Sequence, residues 1–216
     1  IMAQVSTDRF MRRNLEDYEK KMIIKCVEEN LNAYKIFFND SCSDSVSMLR
    51  AHCQKQIAEN GVKVVIIDYL QLMSHSRLRN SRELEISYIT RELKNMAREF
   101  NVCVIVASQL SREVEKRPGS KRPILSDLRD SGAIEQDADK VIFIYRPEYY
   151  CIEEDEFGNS TTRMLELIIA KNRTGSSAEI KLRHGNGFTS FEDVEETPDE
   201  FTFDKNRQDE INMPPF

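Results

Sequence analysis

The chain has 216 residues, 40% of them hydrophobic and 31% charged, with only 7 Gly and 6 Pro. That length holds one full-sized α/β domain and excludes two large ones, and the composition excludes a collagen-like or disordered chain. The formal charge is −6, but nine acidic residues against Lys205 and Arg207 lie between Glu192 and Phe216, so everything before Glu192 is close to neutral.

The first third reads as helical, with Thr7 to Arg12 followed by Leu15 to Leu31, where Leu15, Tyr18, Met22, Val27 and Leu31 recur at helical spacing. Lys35 to Asp40 predicts a short apolar strand. A helix follows from a cap at Asp44 or Ser45 to Asn60-Gly61. Lys63 to Ile67 is an unbroken β-branched run ending in Asp68, the pattern of a parallel strand covered on both faces. The cycle repeats with a helix from Ser81 to Phe100, capped by Ser81 and turning Leu84, Ile86, Ile89, Leu93 and Met96 inward, then a strand from Val102 to Ala107. After a short helical stretch comes a third run, Lys140 to Tyr145. Alternating helices and buried strands predict an α/β fold with a mostly parallel sheet flanked by helices. Met164 to Ala170, Ala178 to Leu182 and Phe188 to Phe191, joined by glycine-containing turns, predict a C-terminal antiparallel extension. The expected organisation is a domain over residues 1–191 and a flexible acidic tail over 192–216.

Ile1 to Ser6 lack the charged and apolar regions of a secretory leader, and with Ile1 ahead of Met2 the start reads as a cut within a longer sequence. No apolar run approaches the length that spans a bilayer. The five cysteines are scattered without a CxxC pair, so they read as reduced, in a cytoplasmic protein, with neither a disulfide framework nor a zinc site. His52, His75 and His184 are equally scattered, and no chemistry is assigned to them.

In open parallel sheets ligands bind beyond the carboxyl ends of the strands. Three predicted strands end in polar groups there: Asp68, Ser108-Gln109 and Arg146. An aspartate fixed at a strand tip suits a hard cation such as Mg²⁺, and a side-chain amide one strand over can sense a terminal phosphate or orient water. Asp68 is equally compatible with a plain loop cap, and neither residue is specific alone.

The blocks Val65 to Met73 (VIIDYLQLM), Ala107 to Arg112 (ASQLSR), Ser126 to Asp139 (SDLRDSGAIEQDAD) and Ile168 to Gly175 (IIAKNRTG) resemble, in order, the motifs of the bacterial replicative DNA helicases, the DnaB family. The resemblance covers roughly residues 1–191. It implies a RecA-like P-loop ATPase core that forms a homo-hexameric ring on single-stranded DNA, uses ATP and Mg²⁺, translocates 5′-to-3′, and works with a primase and a helicase loader. By position, Asp68 resembles the Walker B aspartate that holds Mg²⁺ through water, and Gln109 resembles the glutamine that senses the γ-phosphate. Lys171 and Arg173 resemble the lysine and arginine finger inserted into a neighbouring subunit's nucleotide site. Two residues apart in a strand, they would share a face. Arg129, Asp130 and Gly132 fall where the family grips the DNA backbone, although Asp130 stands where glutamate is usual. Arg77, Arg79 and Arg82 form a second basic segment open to a DNA role or to simple solvation. Arg112, Lys116, Arg117, Lys121 and Arg122 read as a basic loop first.

One element of the pattern is missing. A P-loop needs G-x-x-x-x-G-K-[ST], and none of the glycines at 61, 119, 132, 158, 175, 185 and 187 opens it. The chain therefore resembles the C-terminal part of such a domain without its phosphate cradle, and is expected to be inactive alone. Two other readings stay open: a RecA/RadA-like recombination or repair ATPase, and a non-catalytic module that binds DNA or a partner.

Overall fold

The computed structural model of the chain describes residues 5, 7–29, 34–40, 45–75, 81–128, 132–155, 157–185, 188 and 190–194. Arg77, Arg79, Arg129, Asp130 and all of the acidic tail beyond Val194 lie outside them.

Helices α1 (Thr7–Met11) and α2 (Asp17–Glu29) lead into α3 (Val46–Asn60). The Ser45 hydroxyl accepts from Met48 N at 3.3 Å at the start of α3, and Gly61 ends it at φ 69°, a left-handed conformation that glycine adopts without Cβ cost. Strand β1 (Val64–Ile67) leads to a 3-10 turn (Leu70–Leu72), and α4 (Arg82–Phe100) is capped by Ser81. Strand β2 (Cys103–Val106), α5 (Glu113–Lys116) and α6 (Gly132–Asp137) follow. The chain closes with β3 (Lys140–Tyr145), β4 (Met164–Asn172), β5 (Ala178–His184) and β6 (Phe191–Asp193).

The strands form two sheets. β1 and β2 pair in parallel, Val64 opposite Cys103 and Ile67 opposite Val106. The other sheet has the order β3-β4-β5-β6 and is antiparallel throughout. The α/β class and the antiparallel extension are as expected, but the parallel ladder among the described residues is only two strands wide. β3, expected to continue it, pairs instead with β4.

One core joins Val46 and Cys53 of α3 with Leu70, Met73 and the inward face of α4, formed by Ile86, Ile89, Leu93 and Met96, over Val65, Ile67, Val104 and Val106. A second lies under the antiparallel sheet around Leu128, Val141, Phe143, Tyr145 and Ile168, and Ile134 of α6 packs against both. Thr90 of α4 donates to Asp137 of α6 at 2.9 Å, a further tie between the two halves.

Three further expectations fail. Leu84 is exposed, because in the first turn of α4 the inward face falls to Glu85 and Ile86. Lys35 to Asp40 form no strand: among the described residues no ladder pairs with their backbone, and Ile36, Phe37 and Phe38 stay exposed. The β-branched runs of β1 and β2 are covered on one face only, leaving Val64, Ile66, Cys103 and Ile105 outward.

Candidate functional site

Parallel pairing brings the carboxyl ends of β1 and β2 side by side. Ala107 N donates to Ile67 O and Leu70 N to Ala107 O, both at 2.9 Å, so the tips carrying Asp68 and Gln109 form one edge. Asp68 and Gln109 are exposed there, and the Asp68–Tyr69 peptide is cis. The Gln71 side chain laces the two tips together. Its amide donates to Ser108 Oγ at 3.1 Å and to Gln109 O at 3.3 Å, and its carbonyl accepts from Gln109 N at 3.2 Å. Gln71 received no role from the sequence, where only its place in the block around Asp68 could have drawn attention.

Arg82 turns inward. Its guanidinium donates to Gln71 O at 2.8 Å and Met73 O at 3.2 Å and pairs with Glu85, whose carboxylate also accepts from His75 N at 2.6 Å. It thus clamps the start of α4 to the turn that carries Gln71. The basic loop after β2 is likewise folded onto itself. Arg117 donates to Arg122 O at 3.1 Å and pairs with Asp127, Lys121 donates to Glu115 O at 2.8 Å, and Arg122 lies 2.8 Å from Glu166.

Lys171 and Arg173 come together at the far end of β4. Lys171 stands opposite Val141, at the start of β3, with Arg173 just past the strand. Both reach the C-terminal end of α6, where Lys171 donates to Glu135 O and Arg173 to Gln136 O. Cations suit the unpaired carbonyls of a helix C-terminus. Arg173 Nη1 also lies 3.3 Å from Asp139 Oδ1, and Asp139 pairs through its other oxygen with Lys94 of α4. The Lys94 hydrogen bond, reinforced by the Lys94 and Arg173 charges, holds Asp139 below the ordinary carboxylate range. The structure therefore groups Asp68 with Gln109 at one place and Lys171 with Arg173 at another. The second pair meets α6, not the β1–β2 tips.

Of the expected DNA contacts, Gly132 begins α6. Its φ is not left-handed, and a Cβ there would meet nothing within 4 Å.

A lone aspartate cannot satisfy Mg²⁺, which wants six oxygens, and no group of three or more His, Cys, Asp or Glu among the described residues could hold a metal. Asp68 fits a metal that arrives with a nucleotide, where phosphates and water complete the shell. No protein group among the described residues pairs with its carboxylate.

Residues 1–193 match the family described as the DnaB-like helicase C terminal domain. A probable replicative DNA helicase of Trieres chinensis is 47% identical over 167 residues, covering 76% of the chain and 36% of the relative. Among solved structures, an isolated ATPase domain superposes with a TM-score of 0.78 at 35% identity, covering 90% of the chain and 67% of that one. A DnaB-like replicative helicase studied with primase gives 0.76 at 35%, covering 90% and 47%. The chain spans only about a third to two fifths of the length of the curated relatives it matches.

Proposed function

The chain belongs to the DnaB-like helicase C-terminal domain family, and from that membership we propose that it forms part of the ATPase motor of a hexameric replicative helicase that moves along single-stranded DNA and unwinds duplex at the fork. The observation that carries this reading is the β1–β2 edge, where Asp68 and Gln109 stand exposed on strand tips fixed by Gln71. No such lacing is needed by a plain loop cap.

In this reading Asp68 would hold the magnesium of a bound magnesium–ATP, and the Gln109 amide would sense its terminal phosphate. The bound metal would neutralise charge on the transferring phosphoryl. Lys171 and Arg173 act on the nucleotide of the adjacent subunit, which their separation from Asp68 within one chain supports. A planar guanidinium suits the terminal phosphate. No glycine of these 216 residues opens a P-loop, so the proposal assigns the phosphate cradle to sequence outside them.

For DNA, the proposed grip is made by Arg129, Asp130 and Gly132, of which only Gly132 is among the described residues. Among the described residues no close contact and no left-handed φ calls for glycine at 132, which leaves room for a phosphodiester to approach its backbone. Arg77 and Arg79 remain further candidates, whereas the Arg82 guanidinium is already committed to main-chain carbonyls and Glu85. Primase and a loader are the proposed protein partners, and the cytoplasm the proposed compartment. Cys53, Cys103 and Cys151 form no disulfide, as suits a reducing compartment. Separately, no helix among the described residues is long and apolar enough to cross a membrane.

The test is ATP hydrolysis with and without single-stranded DNA, on the 216-residue chain and on a version extended upstream to include the P-loop. The extended protein should hydrolyse ATP and be stimulated by DNA, and the shorter chain should do neither. Robust turnover by the 216 residues alone would overturn the proposal.

A further inference from the structure

Arg173 is held from two sides. Its main-chain N–H donates to Asp139 O at 2.9 Å, and Nη1 faces the Asp139 carboxylate at 3.3 Å. Nη2 donates to Gln136 O. The guanidinium has five N–H donors, so three remain for a ligand, and the side chain is 47% exposed. Asp139 is not free to follow Arg173 outward, because its other oxygen is paired with Lys94, whose side chain is only 21% exposed on the well-packed helix α4. The chain Lys94–Asp139–Arg173 thus runs from a rigid element to the exposed guanidinium. Such a fork would lose much of its rotamer freedom before meeting its target.

An exposed ion pair of this kind adds little to folding, so stability gives a poor account of why three charges are aligned here. We propose that Asp139 is a positioning residue for Arg173, fixing the guanidinium from behind in the orientation in which it meets the neighbouring subunit's terminal phosphate. This rests on the reading of Arg173 as acting in the adjacent subunit. Asp139 touches no substrate itself.

The experiment uses rings of the full protein that carries this chain, with Asp139→Ala, Asp139→Asn and Arg173→Ala made singly, and Asp139→Ala combined with Arg173→Ala. Assembly and thermal midpoint are checked for each. Asp139→Ala should lower kcat about 10- to 100-fold, the scale of a misplaced catalytic group, and leave the KM for ATP nearly unchanged. Asp139→Asn keeps an acceptor oxygen for Nη1 and should recover part of that loss. In the Arg173→Ala background, removing Asp139 should lower kcat no further. The proposal is overturned if the two losses multiply, or if Arg173→Ala lowers kcat and neither Asp139 variant does. If Arg173→Ala leaves hydrolysis intact, the reading of Arg173 itself falls and takes the proposal with it. Should Asp139→Ala fail to assemble, the isosteric Asp139→Asn decides: an unchanged kcat counts against positioning and a reduced one for it.

Discussion

At the scale of single residues, exposure separates chemistry from folding. Asp68 projects from the β1 tip into solvent and takes no part in either core. Asp68→Asn in the complete protein should therefore leave the thermal midpoint and the ring unchanged, yet reduce ATP hydrolysis about a hundredfold or more, because several kcal/mol of metal-borne charge stabilisation is lost and each ~1.4 kcal/mol is a factor of ten. Wild-type turnover would make Asp68 a structural cap. Glu166 is the opposite case. Burial on β4 raises its pKa, and Arg122 only partly opposes that. A carboxyl raised above its unfolded value contributes stability that is complete below the unfolded value of about 4.5 and is lost as pH rises through the folded pKa. Glu166→Gln should thus melt above wild type at pH 7, with the difference closing below about pH 4.5. A lower midpoint at pH 7 would mean that the attraction of Arg122 outweighs the cost of burial.

At the scale of elements, α6 joins the two halves of the proposed machinery, with Gly132 at its start and the partners of Lys171 and Arg173 at its end. Gly132→Ala offers a separation of sign. A methyl group has open space there and the φ is ordinary, so folding should gain about 0.4–1 kcal/mol through a less flexible unfolded chain. Binding of single-stranded DNA should weaken at the same time, about equally for all sequences, as a backbone contact requires. Unchanged DNA affinity would remove Gly132 from the interface. The same elements show what the sequence discloses. Strand and helix positions are legible, because β-branched runs and 3.6-residue spacing follow from local geometry, and the Ser45, Gly61 and Ser81 boundaries follow from capping. Direction is not legible. Arg82 looks as basic as Arg77 and Arg79, yet folds under Gln71 O and Met73 O, which only the tertiary packing of α4 decides. Asp139 lies 34 residues before Arg173 and 45 after Lys94, and nothing local announces their meeting. The one-sided burial of β1 and β2 has the same origin, since a β-branched run states what a strand can cover, not whether the cover is present.

At the scale of the whole molecule, each of the two sheets leaves apolar side chains of one strand face in solvent. Ile66 is 72% exposed on β1 and Ile144 is 64% exposed on β3, with Val64, Ile105 and Ile142 also outward. Among the described residues, neither the outer edge of β2 nor that of β3 pairs with another strand. Apolar strands with open edges are templates for association. The solved ATPase domain that superposes on this chain is half as long again as the part that matches, which is enough sequence to supply a cover. Ile66→Thr and Ile144→Thr together test whether it does. Threonine keeps the β-branch and hence the strand, and at exposed sites the pair should change the stability of the 216-residue chain by no more than about 0.5 kcal/mol per site. It should also reduce self-association in sedimentation. If additional sequence in a longer protein covers these side chains, replacing each isoleucine with threonine should cost about 1.5–3 kcal/mol there. The two proteins should therefore answer the same pair of substitutions differently: less self-association in the short chain, a lower melting temperature in the long one. Equal destabilisation in both would mean that the face is already covered in the short chain. No effect in the long one would mean that its additional sequence packs elsewhere.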